Sequence, residues 1–583
     1  MKTIIQYVCM LIFSIFVTVS LHGQTYTNHF FKAAGSPVNP KVKATWNHYH
    51  TQAGIEALCK EMVKAYPQLV KWESIGKSVG NRDIWVLTIT DFTKGDPNRK
   101  PAMWVDGNLH GNEIQATEMA LYTAWYLVES FHDNAFIREL LEQKTFYISP
   151  TINPDGRAEF TEKAGALRSG ILPLDNDRDG VADEDGPIDL NGDGFITQMR
   201  RKNPNGTHII DPNYPNRLIP APPGVQGQYD LLGTEGLDLD GDGRVGEDGP
   251  GGYDPNRDWG FNWQPNFIQS GALKYPFSLP ESQVVNKFWL AHPNIACTQT
   301  FHNNGGMILS PPGAEMDLDK ISRSDRAVYD ALGKKGEELI PGYRYLIFYR
   351  DLYPAYGSSI DWTVFGRGIF SFLNELWVAD NMYRGAYKGD PSVMHFEFDK
   401  TLLLGDAYVP WSEFDHPVYG KIEIGGQKKN GTSRLNPGFL LEADAHRNAM
   451  FVIHNAYNTP QLSISSVTEK LLEGGYREIT AEICNNRIIP THSTWDIQNK
   501  IERPDWISIV GPQVVLGMIM SDPFYNQGIE QKVNPQKLAV TNIPGNGKVM
   551  VRWIVKGNQK YTITVDSAKG GLVSYLPEAS PTR

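Results

Sequence analysis

The stretch "PAMWVDGNLHGNEIQATEMALYTAWYLVESF", Pro101 to Phe131, sets an apolar run, a Gly-containing loop and a long apolar helix in direct succession. A strand that feeds a helix through a short loop is half of a βαβ unit, and such units build parallel sheets. The pattern recurs. "RDIWVLTIT" alternates like a strand, "IRELLEQ" reads as a helix, and "KTFYISPTINPDG" as a strand ending in a turn. "SQVVNKFWLAHP" and "RAVYDALGKKGEELI" read as helices, "IACTQTFHN" and "GIFSFLNELW" as strands. Ahead of them Ile55, Leu58, Met62 and Val63 fall at helical spacing before Pro67, and "LLEADAHRNAMFVIHNAY" is a last helix. The expected fold class is α/β, a mixed, mostly parallel sheet flanked by helices, over residues 45–458.

After Thr459 the texture changes. "QLSISSVTEKL", "YREITAEICNN", "KLAVTNI", "GKVMVRWIV" and "KYTITVDS" are short β-rich runs separated by Gly, Pro and Asn. They predict an all-β sandwich over 459–583. Residues from 160 to 255 fit neither pattern, being rich in Gly, Pro and Asp and short of apolar runs. A loop that long inside a compact domain needs something to order it.

The N-terminus, "MKTIIQYVCMLIFSIFVTVSLHGQ", has one Lys, an apolar run to Leu21 and then polar residues. It reads as a secretory signal over 1–23, cleaved near Gly23–Gln24. A periplasmic or extracellular location follows, with no stable membrane insertion after cleavage. No later segment is long and apolar enough to span a bilayer. The stretch between this leader and the first helix is too short for a folded inhibitory prodomain. Cys59, Cys297 and Cys484 remain after cleavage, too few for a disulfide framework or a Cys-based zinc site. The net charge of −11 argues against nucleic acid as a partner, since that needs a concentrated basic surface.

His110 and Glu113 lie three residues apart where the predicted strand enters its helix. Open α/β sheets place their sites at the carboxyl ends of strands. His302 ends another apolar strand and is followed by a Gly-Gly loop. A His and a Glu close in sequence plus a distant His make the three-ligand set of a catalytic zinc with an open position. Glu375 sits in the apolar run "IFSFLNELW". A buried acid without a partner is costly, so Glu375 is expected in a polar site.

With these residues in place the chain resembles the zinc metallocarboxypeptidases. The resemblance rests on His110-x-x-Glu113, "NPDG" at Asn153–Gly156, "DPNRDW" at Asp254–Trp259, "TFHNNGG" around His302 and "YPAYGSSIDWTVFGRGIFSFLNEL" at Tyr353–Leu376. They occur in the family's order and cover Trp46 to Tyr457, interrupted by long insertions. The resemblance implies zinc held by His110, Glu113 and His302, and Glu375 as general base for a metal-activated water. Asn256 and Arg257 match the pair that holds a peptide's terminal carboxylate, a task suited to the guanidinium fork. Tyr353 matches the mobile tyrosine that closes over substrate. Arg201 in "QMRRKNPNG" matches the arginine that stabilises the oxyanion, favoured over Arg200 by the following Lys202.

There are departures. Arg200 stands where the family has an aromatic residue. Asn112 stands where pancreatic-type enzymes carry an arginine, which puts one substrate contact in doubt. "HGNE" is the form of the regulatory branch, whose members also carry a C-terminal β-sandwich. Ile360 and Gly313 match places where an acid selects basic C-terminal residues, so an apolar or aromatic C-terminal residue is expected. The implied function is a zinc-dependent exopeptidase acting on peptide or protein C-termini. Two other readings stay open: a periplasmic carboxypeptidase of cell-wall stem peptides, and an inactive binding protein on the same scaffold.

Three acidic runs interrupt the domain: one with Asp175, Asp177, Asp179 and Asp183, one with Asp189, Asn191 and Asp193, one with Asp238, Asp240 and Asp242. Alternating oxygen ligands with a Gly at the sixth position suit a tight Ca²⁺ loop. The bidentate Glu of position twelve is replaced by Gly186, Gly249 and Arg200, and Asp183, Asp185 and Asp248 are nearby substitutes. Ca²⁺ is therefore expected as a second metal. Because Arg200 and Arg201 follow the second run, its ordering is expected to help place the oxyanion arginine.

Overall fold

The structure is a computed structural model and describes residues 33–37, 39–246, 248–377, 383 and 387–577. The expected signal over 1–23 lies outside the described residues. Contacts divide the chain into two units, Met1–Pro40 and Lys41–Arg583. The described part of the first has no helix or strand. All that follows concerns the second.

Its centre is an eight-stranded mixed sheet in the order β1-β2-β4-β3-β9-β12-β10-β11. The strands are β1 (Val70–Lys77), β2 (Asp83–Ile89), β3 (Ala102–Gly107), β4 (Thr145–Ser149), β9 (Ile295–Asn303), β10 (Met307–Ser310), β11 (Arg344–Ile347) and β12 (Phe370–Leu376). The inner strands β4, β3, β9 and β12 run parallel, β2 and β10 pair antiparallel with their outer members, β1 pairs antiparallel with β2, and β11 parallel with β10. The α/β class expected from the strand–helix alternation is the one the chain adopts. Side chains of β3 alternate as strand geometry requires. Met103 and Val105 join a core formed with α1 (Gln52–Ala65), α2 (Gln115–Ser130), α3 (Ala135–Gln143), α6 (Arg323–Leu339) and α7 (Gly438–Tyr457). Ala102 and Trp104 join a second core beneath α5 (Pro280–Ala291). Helix α4 (Pro154–Glu162) follows β4, with Asn153 capping it by accepting from the Gly156 amide. Every residue of α2 is buried, because it lies between the sheet and α7.

The Gly/Pro/Asp-rich stretch is not irregular throughout. It forms β5 (Gln198–Lys202), β6 (His208–Asp211), β7 (Tyr214–Pro220) and β8 (Tyr229–Thr234). These pair with β13 (Tyr408–His416) and β14 (Gly420–Gln427) in a second sheet, β13-β14-β5-β8-β6-β7. Its small core is Met199, Ile422 and Ile424.

Beyond Thr459 two antiparallel sheets, of five and four strands, pack face to face. Strand Tyr476–Asn485 alternates buried and part-buried side chains along its whole length. Its Ile479, Ala481 and Ile483 meet Ile507, Ile509, Ile563 and Val565 of the other sheet around Trp553. Helix α8 (Thr494–Asn499) reaches out of this sandwich to the central sheet's neighbourhood. Its buried Asp496 accepts from Lys569 Nζ and pairs with His492 Nδ1, both at 2.9 Å. Lys569 also donates to the Gly368 carbonyl, and Trp495 Nε1 to that of Phe365. The sandwich thus braces the turn that feeds β12. Cys59 and Cys297 are buried and Cys484 is part-buried, all as free thiols.

Candidate metal centre and substrate cleft

Three strand ends converge. His302 on β9 and Glu375 on β12 are register partners, so their side chains share one face at the carboxyl end of two parallel strands. The β3–α2 loop delivers His110 and Glu113 to the same place. That loop is held from inside. Asn108 Nδ2 donates to the carbonyls of His110 and Gly111, while its Oδ1 accepts from Arg157 Nη1. Arg157 is fully buried and pairs with Glu118 at 2.9 Å. Gly111 has no alternative: a Cβ there would meet Gly156 Cα at 2.5 Å and the Leu167 carbonyl at 2.6 Å.

His110, Glu113 and His302 are all buried and offer ligand atoms within 4.8 Å of one another. His110 Nδ1 lies 2.9 Å from Glu113 Oε1, His302 Nδ1 2.9 Å from Glu113 Oε2, and the two Nδ1 atoms 3.1 Å apart. Two imidazole nitrogens and one carboxylate turned toward a common point suit a zinc ion with an open coordination position. His110 Nε2 meets Asp254 Oδ1 at 2.9 Å, the outer carboxylate that fixes a ligating histidine's tautomer. Burial alone would protonate Glu113 and Asp254. The facing histidines outweigh it for Glu113, and His110 with Arg257 for Asp254, so both are held well below the usual carboxylate range.

Glu375 has the opposite balance. Burial and then the Glu113 charge push it up to about 7, against His302, Arg168 and Arg434. A carboxyl near neutrality beside a metal cluster is suited to exchanging a proton.

Asn256 and Arg257 are buried in a one-turn 3₁₀ helix capped by Asp254. Asn256 Oδ1 accepts the Ser359 amide, and Arg257 Nη1 donates to the Asn256 carbonyl. Among the described residues no carboxylate lies within ion-pair distance of Arg257. Tyr353 is 45% exposed and edge-on to Phe348.

The oxyanion arginine is where the structure departs from the sequence expectation. Arg201 lies on β5 and pairs with Asp230 at 3.4 Å in the second sheet. Arg200 is buried there, stacked on Tyr229 and Trp411 and bonded to Glu423 at 2.6 Å. Neither contacts the centre. Arg168 does: Nη1 donates to Glu113 Oε1 at 2.9 Å, and Nη2 reaches Asp254 Oδ2 at 3.2 Å. Lys202, which favoured Arg201 in the sequence, pairs with Glu423 of the same second sheet, a sheet the local pattern does not reveal. The expected link from the second acidic run to the oxyanion arginine falls with Arg201. Arg168, Asp254 and Arg434 were missed. Arg168 precedes the acidic runs in "GALRSG", and Asp254 stands two residues before Asn256.

The acidic runs separate. Asp177, Asp179, Glu184 and Asp240 form one cluster, Asp175, Asp177 and Asp248 a second, and Asp185, Asp238 and Asp240 a third. They join the first run to the third. Asp189, Asn191 and Asp193 instead fold on their own loop, with Asp189 accepting the amides of Gly192, Asp193 and Gly194. Asp183 and Asp242 belong to none of the three clusters.

The chain matches the family model described as zinc carboxypeptidase over residues 55–387, and a domain of unknown function over 461–575. Carboxypeptidase M of Mus musculus is 35% identical over 117 residues, 20% of this chain and 26% of that protein. Carboxypeptidase E of Caenorhabditis elegans is 34% identical over 160 residues, 26% of this chain and 34% of that protein. This chain thus spans about a quarter of one relative and a third of the other. Among solved structures, carboxypeptidase A of Helicoverpa armigera superposes with a TM-score of 0.43 at 17% identity, over 73% of this chain and 76% of that one. With more than half its length matched by the family model, the chain belongs to the zinc carboxypeptidase family.

Proposed function

We propose that the protein is a zinc-dependent exopeptidase that removes single residues from the carboxyl ends of peptides. The observation that carries this reading is Arg257: a buried guanidinium beside the metal cluster with no carboxylate paired to it among the described residues. Asp254 meets its charge only from beyond ion-pair distance, so the guanidinium has donors left for a carboxylate, and a substrate's terminal carboxylate fits them. Asn256 adds an amide, which fixes the distance from chain end to cleaved bond.

Zinc held by His110, Glu113 and His302 would polarise the scissile carbonyl and lower the pKa of water. Glu375 takes the proton of the attacking water and later gives it to the leaving amine. Arg168, already directed at Glu113, donates to the oxygen that gains charge. Tyr353, exposed at the rim, covers the bound end. The pocket favours apolar or aromatic C-terminal residues. Ile360 packs with Leu309, Ala355 and Leu373. Asp361, beside Ile360, turns both oxygens to the Gly313 amide, and burial pushes it up to about 7.

The test is a pair of peptides differing only at the end. A free-acid peptide loses one residue at a time, and its C-terminal amide is hydrolysed at least tenfold more slowly. Equal rates, or cleavage at internal bonds, would overturn the reading.

Calcium is part of the proposal for the clusters joining the first and third runs. Oxygen donors and the glycine turns suit it. Excess Ca²⁺ over EGTA is expected to raise the melting temperature, the shift reflecting ~3 kcal/mol at a hundred times the dissociation constant. Asp240→Asn, which removes charge from two clusters, reduces it. An identical melting curve in Ca²⁺ and EGTA sinks this part alone. Action after export is also proposed and rests on the signal-like residues 1–23.

A further inference from the structure

Between β14 and α7 the chain passes the metal cluster once more, at Thr432–Asn436. Five side chains hold this segment by its backbone, Tyr49 among them with its hydroxyl donating to the Asn436 carbonyl at 2.7 Å. Trp377 Nε1 donates to the Thr432 carbonyl at 2.7 Å, Asn304 Nδ2 to that of Ser433 at 3.1 Å, and Asn303 Nδ2 to that of Arg434 at 3.1 Å. Gln115 Oε1 accepts the Asn436 amide at 3.1 Å. Asn303 follows His302, and Gln115 lies two residues beyond Glu113, so the segment is fastened by neighbours of the candidate ligands.

The side chain that this fastening presents is Arg434. Its Nη2 donates to the Asn303 carbonyl at 3.1 Å, and its guanidinium lies 3.6 Å from Glu113 Oε1. It remains 38% exposed, and its buried Nε–H has no partner among the described residues. Arg168 approaches the same Glu113 oxygen but also has Asp254. Arg434 has no second carboxylate within ion-pair distance among the described residues. With Glu113 committed to a metal ion, Arg434 is a fixed, half-open cation with no carboxylate of its own among the described residues.

Its place on the cleft follows from its neighbours. Arg168 and Arg257 both act on Asp254, which marks the end where the terminal carboxylate is held. Arg434 shares Glu113 Oε1 with Arg168, but it is anchored on the Asn303 carbonyl next to His302, where Arg168 is anchored on Asp254. A peptide whose end rests on Arg257 therefore continues past the cleaved bond toward Arg434. A guanidinium is best satisfied by a carboxylate.

We propose that Arg434 binds the substrate residue on the amino-terminal side of the cleaved bond and makes the enzyme prefer an acidic residue there. This rests on the exopeptidase reading above. The experiment compares two peptides with the same aromatic C-terminal residue and Glu or Gln before it, with the full zinc-loaded protein. The wild type is expected to show a kcat/KM ratio of about ten in favour of Glu. In Arg434→Ala the ratio falls to near one, Arg434→Lys retains part of it, and Arg434→Glu turns the preference toward Lys at that place. A second arm needs no turnover: calorimetry of the Glu peptide on Glu375→Gln protein, where adding Arg434→Ala weakens binding by a similar factor. A wild-type ratio near one, or a ratio unchanged in Arg434→Ala, overturns the proposal. So does loss of bound zinc or a lowered melting temperature in that variant, which would make Arg434 part of the metal scaffold. Hydrolysis of the Gln peptide by the wild type keeps the exopeptidase reading standing whichever way the ratio falls.

Discussion

Glu375→Gln lowers kcat by about 10²–10⁴, the range contributed by a positioned proton acceptor. The variant keeps its zinc, because Glu375 is not one of the three residues in the ligand cluster. The amide is nearly the size of the carboxyl, so β12 keeps its register with His302 and folding is little affected. The pH profile carries the same information. The base acts when ionised, so wild-type kcat/KM rises with pH through the Glu375 titration. Burial and the Glu113 charge push that titration up to about 7, and a cation on Glu113 cancels the second cause. The acid limb is therefore expected below 7, and it is absent in the variant. Steady-state kinetics across pH, with zinc measured by elemental analysis, decide the matter. Wild-type turnover in Glu375→Gln would remove Glu375 from the mechanism.

Arg257→Leu lowers kcat/KM on free-acid peptides by about 10²–10³, the cost of leaving one partner of a desolvated charge pair alone. Most of the loss is in KM, since the carboxylate is held in the bound substrate as in the transition state. The variant also loses discrimination between a free-acid peptide and its amide, because only the free acid gains from the guanidinium. That second effect separates a carboxylate clamp from a structural arginine, whose removal lowers both rates together. Retained discrimination in Arg257→Leu would mean that another group reads the chain end.

The parts of the site that could be read from the sequence are those whose geometry is local or set by strand ends. His110 and Glu113 share one loop. His302 and Glu375 each close an apolar strand, and parallel pairing brings them side by side. The central sheet was legible for the same reason: each βα step leaves a complete pattern within a few dozen residues. What escaped depends on distant pairings. Nothing near Gln198 announces that β5 will pair with β14, so Arg201 was expected at the centre when it belongs to another sheet. Arg168 sits in a Gly-flanked stretch with no periodicity. Arg434 is placed by the hydrogen bonds that the backbone of its segment makes with Asn303, Asn304, Gln115 and Trp377, groups scattered along the chain.

The second sheet joins two segments that lie far apart in the chain, 198–234 and 408–427. Arg200 and Glu423, bonded across it, are separated by 223 residues. Strand β14 is buried over most of its length, and β5 covers one of its edges. A chain lacking residues 160–255 would leave that edge open and Glu423 without its cation. An uncovered edge with apolar side chains recruits strands from other molecules. The two segments stand as a matched pair, and an engineer trimming this protein would have to remove both.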